Sequence, residues 1–264
     1  MGSLTDFAEN AILNHIFGNI AYTPATDIYV AFGSTTAIDD GTGFTEATYG
    51  SYARKIVLFG AADSRSIVQS TKINFAKSTL GNETYSYYAL FDAVTGGNIL
   101  AYGDLNNDIN VVTNSTPSIA ASEIVINVTP GSGTGMATYL ADKTLDLMFN
   151  GTAYSSPSIY VGLTTTTIPD ASTGTSISDP TTNNYTRILY SNWSTATTGT
   201  LNNTANIQFS VPSGTWGTVV ASSLTDAATV GNLLFYDNDN LVDQTIGFND
   251  DVKFLATNFD VSID

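Results

Sequence analysis

The sequence predicts an all-β protein of two tandem β-sandwich-like domains, each preceded by one N-terminal α-helix. Three observations carry this. Residues 4–128 and 136–263 follow one plan, with matching features 131 to 134 positions apart. Short apolar runs recur between turn-forming clusters in both halves, and one stretch of helical periodicity heads each half. Composition agrees: charged residues make up 12 % of the chain against 42 % hydrophobic, about half the usual charged share. Polarity is therefore carried by Thr, Ser, Asn and Gly. Thr packs well on a pleated surface, and Asn, Asp and Gly supply turns.

The elements follow in order. Over Leu4 to Gly18, the residues Leu4, Phe7, Ala8, Ala11, Ile12 and Ile16 stand at helical spacing, with Ser3 available as N-cap and Asp6 in the first turn. His15 lies on the same face. The matching stretch, Met136 to Gly151, offers Tyr139, Leu140, Leu147 and Met148 with Thr144 between them. Each helix is expected to cover a sheet. Both lead into Ala-Tyr, at Ala21-Tyr22 and Ala153-Tyr154, and then into Ile-Tyr-Val, at Ile28 to Val30 and Ile159 to Val161. An aromatic two residues before an arginine follows a polar segment in both halves, Tyr52 and Arg54, then Tyr185 and Arg187. Ile73, Asn74 and Phe75 correspond to Ile207, Gln208 and Phe209. The clearest echo comes last, where Leu90, Asp92, Ala93, Gly97, Asn98, Leu100 and Tyr102 recur 134 positions on as Leu224, Asp226, Ala227, Gly231, Asn232, Leu234 and Tyr236. Further β-like runs are residues 54–59, 86–91 and 124–128, and in the second half 187–190, 207–211, 219–224 and 259–263.

A period near 130 residues is far longer than the roughly 20 to 50 residues of a solenoid or propeller unit. Each copy is about one ordinary domain. The segment Thr129 to Gly135 reads Thr-Pro-Gly-Ser-Gly-Thr-Gly, a short linker by composition. The expected domains are residues 1–130 and 131–264. Each half carries its own helix and strands, so each is expected to fold alone.

Charge excludes two classes of partner. Eight Lys and Arg against 24 Asp and Glu leave a formal charge of −16, which opposes the phosphate neutralisation of nucleic-acid binding and docking to an anionic membrane leaflet. Without cysteine, neither disulfides nor thiolate metal sites are available. No basic region followed by an apolar run opens the chain, and no run approaches the roughly 18 apolar residues of a spanning helix. Synthesis in a cytoplasm is expected.

Candidate chemistry reduces to one histidine and several acidic pairs. His15 faces an apolar stripe, which suits a structural role, and no second His or any Cys completes a zinc or nucleophile constellation. The pairs Asp39 and Asp40, Asp104 and Asp108, Asp237 and Asp239, and Asp250 and Asp251 could in principle supply the acid and base of glycoside hydrolysis. In Gly- and Asn-rich segments they read as turn caps. Asp104 to Asp108 and Asp237 to Asp243 look calcium-like, but Ile109 replaces the required glycine, Leu241 replaces a ligand, and the closing Glu is absent from both. No catalytic, cofactor-binding or metal-ligating residue is assigned, and an enzyme is not expected.

The second half reads, in order, Gly151-Thr152-Ala153-Tyr154, Ser158-Ile159-Tyr160-Val161-Gly162-Leu163, Tyr185-Thr186-Arg187, Trp216-Gly217-Thr218-Val219, and Asp226-Ala227-Ala228 with Gly231-Asn232-Leu233-Leu234-Phe235. On these residues it resembles a family of small tailed-bacteriophage virion proteins of tail-fibre-like type. The first half keeps Ala21-Tyr22, Ile28-Tyr29-Val30, Tyr52-Ala53-Arg54 and Phe91-Asp92-Ala93, and lacks the Trp-Gly pair. The resemblance implies a virion structural component and brings no catalytic residues. The leading expectation is a capsid decoration protein on the outer head, bound to the major capsid protein, other virion proteins or copies of itself. The alternative is a tail, baseplate or tail-fibre module whose exposed Tyr and Trp stack on host surface glycans. A carboxylate-dependent polysaccharide hydrolase ranks third.

Overall fold

The structure, a computed structural model, describes residues 2–129 and 133–263. Pro130, Gly131 and Ser132 of the expected linker, and with them the boundary at 130/131, lie outside the described residues. The chain is mostly β, and the described residues hold two helices, α1 (Asp6–Ile16) and α2 (Thr138–Asn150), one heading each half. A three-residue strand precedes each helix, Gly2–Leu4 and Thr134–Met136. Ser3 therefore lies in a strand and is not the cap. Thr5 takes that place: its carbonyl accepts the Glu9 N–H at 3.0 Å, and its hydroxyl lies 3.4 Å from the Ala8 nitrogen while donating to the Ile99 carbonyl at 2.6 Å. Ala8, Ile12 and Ile16 of the apolar stripe are buried, as are Leu140, Leu147 and Met148. Phe7 departs from the stripe and is exposed.

In the first half the hydrogen-bonded order of the main sheet is Thr45–Glu46, Ile28–Thr35, Asn82–Phe91, Ile99–Val112, Gly2–Leu4, Val125–Asn127 and Ser66–Val68, with Lys55–Val57 also paired to Ile28–Thr35. The chain beyond Val57 then reaches the far end of this order. Gly60 N–H donates to the Val68 carbonyl at 2.9 Å and Ser70 N–H to the Leu58 carbonyl at 2.8 Å. The sheet closes on itself through residues 58–60, which covers edges that would otherwise offer unpaired backbone.

The second half repeats most of these pairings, but among the described residues it has no counterpart of Thr45–Glu46 on Ile28–Thr35 or of Gly2–Leu4 on Val125–Asn127, and its long hairpin is broken. Asn82–Phe91 and Ile99–Val112 form one long hairpin with two bulges. Their equivalents form two short ones, Gly217–Val219 with Gln244–Ile246 and Ala221–Thr225 with Leu233–Asp237. Turn-forming residues 238–243 sit at the break. Asp237 Oδ1 accepts the N–H groups of Asp239 and Asn240, each at 3.0 Å, and the Asn238 side chain bonds both backbone groups of Ile168, at 2.7 and 3.0 Å.

By contacts the chain forms two compact units. One holds Met1–Asn10, Thr23–Val128 and Asp142–Tyr154; the other holds Ala11–Tyr22, Thr129–Ala141 and Ser155–Asp264. The strands of each half thus lie in one unit. The last turns of each helix lie in the unit that holds the other half's strands.

Candidate functional site

The Tyr-x-Arg echo is one part of a three-part clamp. Arg54 Nε donates to the Glu46 carboxylate at 3.0 Å, and its Nη2 reaches the same group at 2.7 Å. Nη1 donates to the carbonyls of Ala93 and Gly96 at 2.9 and 2.7 Å. The guanidinium carbon lies 3.3 Å from the centre of the Phe91 ring, a cation–π contact. Tyr52 donates its hydroxyl to Glu46 at 3.0 Å. Arginine suits this place because its planar fork serves a carboxylate and two carbonyls at once.

The second half builds the same clamp from equivalent residues. Arg187 Nε and Nη2 meet Asp179 at 2.8 and 2.7 Å. Its Nη1 donates to the carbonyls of Ala227 and Val230 at 3.2 and 3.0 Å, and Nη2 to that of Gly174 at 2.6 Å. Thr225, which stands where the first half has Phe91, accepts a further bond at 3.1 Å. Tyr185 bonds both backbone groups of Leu163, at 2.7 and 3.0 Å. Burial raises the Asp179 carboxyl above its ordinary range despite the pull of Arg187. Burial also raises both tyrosine hydroxyls, so Tyr52 and Tyr185 stay neutral.

The loop that each arginine holds explains the strongest echo. Asp92 accepts the backbone and side-chain N–H groups of Asn98, both at 2.7 Å, and Asp226 accepts those of Asn232 at 2.6 and 2.7 Å. Gly97 and Gly231 each sit at φ +75°, where a Cβ would lie 2.3 and 2.4 Å from the aspartate oxygen. Only glycine fits there. The repeat pattern points to the tyrosines, the arginines and this loop, but not to Glu46 and Asp179. The signal that marks those two is an acid eight residues before the arginine in both copies.

Each arginine's donors are directed inward, at a carboxylate and at loop carbonyls, so the clamp ties the fold together and does not present charge to a ligand. The other candidates are dispersed. His15 is buried, and its Nδ1 accepts the Tyr22 N–H at 3.2 Å. Asp40 accepts both the N–H and the hydroxyl of Thr42, at 2.8 and 2.7 Å, which lowers its pKa. Asp250 accepts the Gly247 N–H at 2.7 Å. Asp251 pairs with Lys253 and accepts from Gln208, and its pKa is lowered. Asp104 is exposed on the long hairpin, opposite Tyr87, while Asp108 borders a cleft of about 400 Å³ with Lys72, Leu105, Ile119 and Glu123. In the second half a smaller cavity, about 120 Å³, lies among Ser222, Leu224, Phe235 and Phe259.

Among the described residues one group of carboxylates converges, Asp6, Glu9 and Asp39, with oxygens within 4.8 Å of one another. Hard cations take such ligands, six or more oxygens for calcium. The second half replaces the convergence with a single hydroxyl–carboxylate bond, Thr138 donating to Asp170 at 2.6 Å. The expected exposed aromatics are corrected by burial. Trp193 and Trp216 are 6 % and 5 % exposed, and no described tyrosine is in the open; Phe7 and Phe248 are the exposed aromatics. Each tryptophan packs edge-on against core rings, Trp193 on Phe17 and Tyr190, Trp216 on Tyr185.

The repeated framework has a counterpart among known proteins. The family described as podophage GP4 fiber I protein gp80 matches residues 3–127 and again residues 135–262, almost the whole chain in two passes. The chain belongs to this family. The gp80 family is one of phage virion structural proteins, and here its unit occurs as a tandem duplication, in agreement with the sequence resemblance. No curated protein matches. Among the described residues no helix is long and apolar enough to cross a membrane.

Proposed function

We propose that the chain is a non-enzymatic structural component of the phage virion that works by binding other virion proteins, seated in the fibre apparatus of the tail. The observation that carries this is what the two halves share. The positions common to both copies form a clamp, a closed loop and a core, all directed inward, and the family that matches both copies is named for a fibre protein. The acidic pairs serve turns, a hairpin edge and a cleft rim in separate places, so the reading includes no hydrolase.

The outer head is the second reading. It is favoured by a fold of short strands and closed sheets in place of the long repeats of a fibre shaft. There the protein would stabilise the assembled shell by mass action, through many copies of a weak contact. Host glycan as a partner has less support in this chain, because both tryptophans are committed to the core.

Gold-tagged antibody on purified virions tests the proposal. Label confined to the tail is the expected result, label spread over the head transfers the protein to the second reading, and unlabelled particles overturn both. Purified protein is expected to release no reducing ends from host polysaccharide.

A further inference from the structure

The last turns of both helices are closed in on nearly every side. In α1 and just beyond it, Ile12, Leu13, Asn14, His15, Ile16 and Phe17 are all buried; in α2, Thr144, Leu145, Leu147, Met148 and Phe149 are. A helix that covers one sheet buries one stripe, so burial all round requires partners on more than one side. Those partners lie within the compact units. Ala11–Tyr22 packs in the unit that holds the second half's strands, and Asp142–Tyr154 in the unit that holds the first half's.

The contacts of the two arms come in matched pairs. Asn14 Oδ1 accepts the Ala196 N–H at 2.9 Å. Asp146, its equivalent 132 positions on, accepts the Ala62 N–H at 2.9 Å, and Ala62 and Ala196 are themselves equivalents. Phe17 meets Trp193 with ring centres 4.8 Å apart, and Phe149 meets Phe59 at 5.4 Å, again from the same two positions of the repeat. Asn19 donates to the Ser194 carbonyl at 2.7 Å, and Asn150, from a neighbouring position of the repeat, donates to the equivalent Gly60 carbonyl at 2.8 Å. Matched contacts given and received by each copy are the pattern of identical protomers that exchange an arm.

We infer that each repeat carries a docking site for the helix arm of a second copy of the repeat, and that in this chain the two copies fill each other's sites. The linker is a tether that raises effective concentration, and the arms hold the repeats together. This replaces the expectation that each half folds alone.

The test uses the full-length protein with a specific protease site inserted after Gly131 and cut after folding. At micromolar concentration the cut protein is expected to run as one particle close to the intact 27.8 kDa. Phe17→Ala with Phe149→Ala should raise the dissociation constant of the cut protein by roughly 100-fold or more. If that pair fails to fold, Asn14→Ala with Asp146→Ala, which removes the bonds from Ala196 and Ala62 and, at Asp146, the one from Asn150, should raise it by roughly tenfold. Val242→Ala, at a side chain 85 % exposed, should leave it unchanged. Separation of the cut wild-type protein into two species overturns the inference, as does a variant pair that dissociates no more readily than wild type.

Discussion

The two halves solve one packing problem with different residues. In the first, the arginine stacks on Phe91 and its carboxylate partner Glu46 is partly open, with 28 % of its side chain exposed. In the second, a threonine hydroxyl replaces the ring, and Arg187 is sealed at 2 % side-chain exposure. The cores differ in the same way. Phe32 centres the first, with Tyr52, Phe75 and Tyr85 at ring distances of 5.3, 4.6 and 5.0 Å. Leu163 holds the equivalent place in the second, where Trp216 fills the space beside Tyr185 and Phe209. What both halves keep is the hydrogen-bonded frame. What varies is the apolar filling, which tolerates substitution as long as volume is conserved.

This comparison can be broken by mutation. Both tryptophans lie in the unit that holds the second half's strands, so tryptophan fluorescence follows that unit while circular dichroism follows the whole chain. Arg187→Ala should have the largest effect, about 3–5 kcal/mol, because it removes a cation that is 2 % exposed and leaves Asp179 and the Gly174 carbonyl without their arginine donor. Arg54→Ala should cost about half as much, since its pair is the more open of the two, at 9 % and 28 % side-chain exposure against 2 % and 21 %. Equal losses would refute the difference in burial. Gly97→Ala and Gly231→Ala should each cost about 2 kcal/mol, combining left-handed strain with a steric clash. Their losses should agree with each other, and a mismatch in denaturant midpoints would show that the two loops are not equivalent. Tyr185→Phe should cost about 1 kcal/mol, more than Tyr52→Phe, because Tyr185 also accepts a backbone N–H that is left without its partner.

The smallest effect is silent at neutral pH. Burial pushes Tyr49 and Tyr85 up to about 12 and raises Tyr52 and Tyr88 as well, all in the first half; in the second, burial raises Tyr185. A raised folded pKa means that the unfolded chain loses its proton first. The stabilisation is complete below about pH 10 and is lost as pH rises from there toward 12. Alkaline titration should therefore loosen the first half before the second, seen as a fall in ellipticity that precedes the tryptophan signal. A simultaneous change would sink this ordering.

Much of this frame is legible in the residue order. The offset of 134 between Asp92-Gly97-Asn98 and Asp226-Gly231-Asn232 marks a loop whose geometry is local: an aspartate, a left-handed glycine and an asparagine within seven residues. The arginines are equally visible. Their carboxylates are marked only by an acid eight residues earlier in both copies, because Glu46 and Asp179 act across a turn where no periodicity points at a partner. Ser3 reads as a cap because a three-residue strand is too short to show alternation. The tryptophans read as available for a ligand because their burial depends in part on rings far away in sequence, Phe17 for Trp193 and Tyr185 for Trp216.

By itself, the sequence determined that the chain is a duplicated, strand-rich unit with a helix at each head, since repetition and periodicity are properties of residue order. Tertiary structure alone decided where the ends of those helices pack. Both copies carry the arm and both carry its site, so a helix that covers its own strands and one that reaches into the other unit have the same local pattern, and only long-range contacts separate them.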